Sequence, residues 1–141
     1  MRESETLNGG RGMELNIVVE LAAQIENTKS KLQQIDDSLK RLTRTNDGLP
    51  KSKTEDRLGA LISLKIDLAS ELTSLELKLD EEKTKLFNRL MSVEMTAAAR
   101  EVLIRRYVEL QQFKNIAAEM KYSEGSIYRL HRQGKRYFQR K

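Results

Sequence analysis

The chain has 141 residues, of which 33% are charged and 5% aromatic, and carries a net charge of +5; such a balance favours long solvated helices over one large core. Cysteine is absent, which excludes disulfides and thiol chemistry and fits a reducing compartment. No run approaches the ~18 apolar residues of a membrane span, and residues 1–12 lack the apolar centre of a secretory signal, so a soluble, intracellular protein is expected.

Gly9, Gly10 and Gly12 stand among polar residues, and residues 1–13 are expected to form a flexible arm. From about Glu14 to Arg44 the chain reads as one long helix with a heptad seam. Val18, Ile25, Leu32 and Leu39 hold one position of the repeat, and Leu21, Thr28, Ile35 and Leu42 the other. Thr28 is the only polar residue on that seam. Thr45-Asn46-Asp47-Gly48-Leu49-Pro50 then ends the helix, with Gly48 suited to a left-handed conformation and Pro50 unable to continue the ladder.

A second helix begins near Ser52, which has Glu55 three residues on in capping-box spacing, with Thr54 as a competing cap. It is expected to run to about Met91. Leu58, Leu72, Leu79, Leu86 and Val93 occupy one heptad position and Leu61, Leu68 and Leu75 the other, where Lys65, Glu82 and Arg89 interrupt. Joined by a short turn, the two helices fold back as an antiparallel hairpin over residues 14–91. At ~1.5 Å per residue they measure roughly 45 and 57 Å, too long and thin to bury their apolar faces as an isolated pair.

Ile62, Leu64, Ile66 and Leu77 widen the apolar arc of the second helix beyond what one partner needs. Two hairpins associating into a four-helix bundle would cover it, making a homodimer. The residues expected to build that bundle are Val18, Leu21, Ile25, Leu32, Ile35, Leu39, Leu61, Leu68, Leu72 and Leu75. A monomeric hairpin packed on the C-terminal module, or a partner protein on the spare face, remain alternatives.

Ser92 to Thr96 reads as the joint to a module spanning 92–141. Thr96 can cap a helix that runs to Val108 and turns Val102, Leu103, Tyr107 and Leu110 towards the helix-turn-helix beyond it. Glu109-Leu110-Gln111-Gln112 leads into a short helix from Phe113 to Met120. Ser123 is a good N-cap, followed by Glu124 in the first turn, so a new helix starts there and runs to about Tyr137. Ile116, Ala117, Met120, Tyr122, Ile127 and Leu130 give this helix-turn-helix one small shared core. Its outer face presents Glu124, Gly125, Ser126, Tyr128, Arg129, His131, Arg132 and Lys135.

Charge is unevenly divided. Residues 96–141 hold eleven Lys and Arg against four Glu, a net +7, whereas residues 1–95 hold fifteen bases and seventeen acids, a net −2. Six of the seven aromatic residues lie in the last third as well: Tyr107, Phe113, Tyr122, Tyr128, Tyr137 and Phe138. A basic module with helix-turn-helix spacing points to double-stranded DNA as partner.

Three runs carry a family resemblance: Val102-Leu103-Ile104-Arg105-Arg106-Tyr107-Val108, Ile116-Ala117-Ala118-Glu119-Met120, and Tyr122-Ser123 followed by Ile127-Tyr128-Arg129-Leu130-His131. On these, residues 96–141 resemble region 4 of bacterial sigma factors, and most of all the phage late-gene transcription regulators of the ArpU and RinA type. In regulators of that kind a coiled-coil-like segment precedes the same C-terminal pattern, so the likeness extends back to about Ser52. Lys121 stands where many helix-turn-helix proteins have glycine, and Gly125 where the region 4 pattern usually has a polar side chain. The resemblance implies a phage-encoded regulator of transcription in the cytoplasm of a bacterial host, with RNA polymerase as a further candidate partner.

In a helix-turn-helix the N-terminal residues of the second helix enter the major groove. Ser123, Glu124, Ser126, Tyr128, Arg129, Arg132, Lys135 and Arg136 are therefore the candidate DNA contacts. Arg129 is placed to read a guanine edge, while Lys135, Arg136, Arg140 and Lys141 suit phosphates. His131, the only histidine, is expected at the surface near phosphate; without a second His or any Cys, no metal site or cofactor is expected. Gly134, within the second helix, is expected to mark a close approach to the first helix of the motif.

The acidic pairs Asp36-Asp37 and Asp80-Glu81-Glu82 lie beside lysines on exposed faces, and no strand leads into a glycine-rich phosphate loop, so neither an enzyme nor a small-molecule substrate is expected. The sequence is thus read as an all-α protein, a long N-terminal hairpin followed by a small helix-turn-helix domain, that binds promoter or operator DNA as a dimer. Two other readings stand beside it: an adaptor whose hairpin captures a host factor such as RNA polymerase, and a phage DNA-packaging recognition subunit.

Overall fold

The computed structural model describes residues 2–44 and 51–140, with side chains from Leu15 to Arg44 and from Lys53 onwards. It is all-helical: α1 spans Arg2–Arg44, α2 Lys51–Ser92, α3 Ala97–Leu103, α4 Phe113–Met120 and α5 Glu124–Arg140, with a π-helical segment over Ile104–Val108. The expected turn at 45–50 lies outside the described residues. Among the described residues no helix is long and apolar enough to cross a membrane.

The helical backbone of α1 reaches back to Arg2, through the stretch expected to form an arm. Extending an existing helix forms one hydrogen bond for each residue fixed, whereas starting one is costly. Gly9, Gly10 and Gly12 lower the propensity by ~1 kcal/mol each.

Two compact units divide the chain, one made of residues 21–78 and the other of 1–20 together with 79–141. In the first, α1 and α2 form the expected antiparallel hairpin, and Asp36 meets Lys65 at 2.8 Å. That ion pair accounts for Lys65 on the seam of α2: its charge is met across the hairpin, on a partly exposed pair where screening keeps the gain small. Leu21, Ile25, Thr28, Ile35 and Leu42 are buried on α1, with Leu32 and Leu39 half-buried. The Thr28 hydroxyl donates to the Gln24 carbonyl at 3.0 Å, which satisfies the one polar group on that seam.

Among the described side chains of α2 in this unit only Leu68 and Thr54 are buried; Leu58, Leu61, Leu72 and Leu75 are half-buried. Ile62, Leu64, Ile66 and Leu77 remain exposed, the last two at 63%. The burial is thus asymmetric. Most of the α1 seam is covered within the chain, so Leu21, Ile25 and Ile35 are hairpin core rather than free dimer surface, and the uncovered apolar surface belongs to α2.

In the other unit Leu15 and Val18 from α1 pack with Leu86, Leu90 and Val93 from the end of α2 and with Leu103, Tyr107 and Phe138. Val18 therefore does not serve the bundle to which the heptad assigned it; it is sealed inside this second core. The expected boundary at residue 92 also moves, because Leu103 and Phe138 find their covering partners before it. Each fully buried Leu, Val or Phe contributes roughly 1.5–3 kcal/mol, so these segments stabilise the C-terminal helices directly.

A second, smaller cluster joins Val102, Ile116, Ala117 and Ile127, with Phe113, Met120 and Leu130 at its edge. This is the shared core expected for the helix-turn-helix. Tyr122, expected to join it, is instead 45% exposed.

Arg100 ties α3 to the end of α2. Its guanidinium donates to the Leu90 carbonyl at 3.0 Å and the Val93 carbonyl at 2.8 Å, satisfying groups that a helix C-terminus leaves without an internal partner. Thr96 caps α3 as expected, its hydroxyl accepting from the Ala99 N–H at 3.2 Å. The helix continues to Val108 as expected but widens to a π-helix at Ile104, and the chain then turns through Leu110 at φ 60°. No glycine or proline marks this change; Leu110 packs against the larger core, and that burial offsets a left-handed backbone.

Candidate nucleic-acid interface

The turn between α4 and α5 depends on three residues. Lys121 adopts φ 63° and ψ 41°, the left-handed conformation that glycine takes at many helix ends, and the Tyr122 N–H returns to the Ala117 carbonyl at 3.0 Å. Ser123 then caps α5: its hydroxyl accepts from the Ser126 N–H at 3.1 Å, and its carbonyl accepts from the Ile127 N–H at 3.1 Å. Glu124 occupies the first turn, where negative charge complements the helix dipole.

One side of α5 is fixed by burial. Ile127, Gly134 and Phe138 are enclosed, with Leu130 and His131 half-buried beside them. A Cβ on Gly134 would sit 2.9 Å from Leu103 Cγ, 3.0 Å from Leu103 Cδ1 and 3.3 Å from the Ala99 carbonyl oxygen. Gly134 is therefore a contact point against α3, not against α4 as expected, and α5 lies closely on the supporting helix.

With ~100° between successive residues, the side opposite Ile127, Gly134 and Phe138 carries Gly125, Arg129, Arg132 and Arg136. All four are exposed. Arg129, Arg132 and Arg136 line an open groove of about 610 Å³ together with Tyr122, Ser126, Leu130 and Gln133. The groove thus joins three guanidinium groups to an amide, a hydroxyl and the apolar surface of Tyr122 and Leu130. Bidentate contacts to a guanine edge, contacts to phosphate and apolar contact with a thymine methyl are all within the chemistry of that set.

The remaining predicted contacts lie elsewhere. Glu124, Tyr128 and Lys135 share the other flank of α5. Tyr128 packs its ring on Phe113, with centroids 4.9 Å apart, and is still 42% exposed. Lys135 is half-buried, Arg140 stacks over Tyr137 at 5.2 Å, and Lys141 lies outside the described residues.

His131 is corrected. It is not a surface residue near phosphate: its Nε2 lies 2.7 Å from the Tyr107 hydroxyl, and its ring stacks on Tyr107 at 5.6 Å and meets Phe113 edge-on at 4.9 Å. Burial, then the nearby charges of Lys135, Arg106 and Arg132, lower its pKa to about 4. Burial raises the pKa of Tyr107, with Arg106 opposing. The signal was the 127, 131, 134, 138 spacing, which is that of a helix core face.

The basic excess is partly internal as well. Besides Arg100, Arg105 pairs with Glu101 at 2.9 Å and with Glu119, and those partners raise its pKa. Arg106 donates to the Gln111 carbonyl at 3.0 Å and lies 4.4 Å over the Phe113 ring. These three arginines hold the module together, whereas Arg129, Arg132 and Arg136 on α5 stay exposed. In comparisons with known proteins, no family model, no curated protein and no solved structure matches the chain.

Proposed function

We propose that the protein is a sequence-specific regulator of transcription that reads promoter or operator DNA with α5 and acts as a homodimer, in the cytoplasm of a bacterial host of a phage. The observation that carries this reading is the alignment of Arg129, Arg132 and Arg136 along the side of α5 opposite its buried face, beginning at a capped and exposed N-terminus. The resemblance of residues 96–141 to sigma factor region 4 supports it. Arg129 reads a guanine, while Arg132 and Arg136 neutralise phosphates and fix register. The reading calls for neither catalysis nor a cofactor.

The dimer rests on α2. Ile62, Leu64, Ile66 and Leu77 are exposed apolar residues on the helix whose own seam is only half covered; at ~100° per residue Ile62, Ile66 and Leu77 share one side, which a second hairpin would bury. The same surface supports a second reading, an adaptor in which a host factor such as RNA polymerase takes the place of the second copy. A DNA-packaging subunit would instead assemble as a larger ring.

Selection of bound sequences from a random DNA pool, followed by affinity measurement at several salt concentrations, tests the regulator. A defined site is expected, with affinity that falls steeply as salt rises. Arg129→Ala should cost about 1–3 kcal/mol on that site and relax the preference at one base pair. Selection that yields no site, or an Arg129→Ala variant that keeps full discrimination, would remove this reading.

A further inference from the structure

Among the arginines of the groove, Arg129 is tied to the first turn of its own helix. Its Nη2 donates to Ser126 Oγ at 3.1 Å, and Ser126 Oγ also accepts from the Ser123 hydroxyl at 3.0 Å. Ser123 Oγ in turn accepts from the Ser126 N–H at 3.1 Å. The helix cap, Ser126 and Arg129 thus form one hydrogen-bonded chain. The donors present give that chain its direction. Ser123 spends its hydroxyl proton on Ser126, and Ser126 spends its two lone pairs on Ser123 and Arg129, which leaves the Ser126 proton free. Arg129 gives up one of its five N–H donors and keeps the rest for an outside acceptor.

From this chain the geometry points to Ser126 as the positioning residue for Arg129. Ser126 is half-buried at the start of α5, so it can hold the guanidinium beside the first turn before DNA arrives. A long flexible side chain otherwise loses rotamer freedom on binding, and a side chain held in its bound orientation loses less. Ser126 acts through Arg129, and on this assignment it is not itself a base-reading group. The inference rests on the DNA-reading function proposed above for the same face.

The test has one arm with DNA and one without. In the free protein, ¹⁵N NMR should show slowed rotation of the Arg129 guanidinium that Ser126→Ala releases and Ser126→Thr restores. With DNA, Ser126→Ala should weaken the selected site about five-fold, with Ser126→Thr again restoring it. In an Arg129→Ala background, Ser126→Ala should then add no further loss.

A freely rotating guanidinium in the unaltered protein overturns the inference, whatever the DNA result. So does an equal loss from Ser126→Ala with and without Arg129, since Ser126 would then touch DNA directly. A restrained guanidinium in a protein that selects no sequence keeps the positioning assignment and removes the regulator instead.

Discussion

Gly125 is exposed on the arginine side of α5, and a Cβ there would meet nothing within 4 Å. Internal packing does not require glycine at this position, unlike Gly134, where a Cβ would press on Leu103. Helix propensity disfavours it by ~1 kcal/mol relative to alanine, and less in a first turn. Gly125→Ala is therefore expected to raise thermal stability by a few tenths to ~1 kcal/mol. On the proposed function it should also weaken DNA binding, because the added methyl stands where the partner's backbone approaches. Paired melting and affinity measurements check this: a variant that is more stable and binds equally well would show that nothing comes close at Gly125.

At the scale of elements, the Tyr107, Phe113 and His131 cluster joins the π-helical segment, α4 and α5. His131, with its pKa lowered to about 4, is neutral in the folded state, whereas in the unfolded chain it titrates near ~6.5. Below about 6.5 the unfolded state takes up the proton first, so stability is full above that pH and is lost progressively down to about 4. Lys135, Arg106 and Arg132 face the ring with the same sign of charge and oppose its protonation further. Urea midpoints measured between pH 7.5 and 4.5 should fall with pH in the unaltered protein, and the slope should flatten in His131→Asn, which stays neutral throughout. Equal slopes would place the ring in a more solvated setting than the one described.

Much of this scale was legible beforehand. The Phe113–Met120 helix, the Ser123 cap and the break between them arise from local chemistry: a capping hydroxyl, an acid in the first turn and apolar spacing that changes phase. What could not be read locally depended on partners distant in sequence. The partner of Gly134 is α3, Val18 belongs to the core around Phe138, and Arg100 reaches the end of α2. The widening at Ile104 has no breaker residue to announce it. The spacing of His131 from Ile127, Gly134 and Phe138 places it on the core face, although its residue type suits a surface position.

For the whole molecule, the proposed homodimer rests on the apolar surface of α2. Ile66 and Leu77 are each 63% exposed, so replacing both with glutamate removes little that the single chain buries, while placing two charges where a second hairpin would seat. Ile66→Glu with Leu77→Glu is expected to leave helix content unchanged and convert a dimer to a monomer in light scattering. It should also weaken the selected DNA site by about 100-fold, through loss of simultaneous engagement of two half-sites. Unchanged mass would locate the contact elsewhere or identify the native state as monomeric.

Leu15 and Val18 at one end of the chain, and Leu86 and Leu90 far along it, share the core of Leu103 and Phe138. This unit is consequently stitched from two stretches that the ribosome delivers some sixty residues apart, and it cannot be lifted out of the chain with a single cut. A fragment starting at residue 92 would carry every arginine of the groove, yet it would leave the floor beneath α5 open to water.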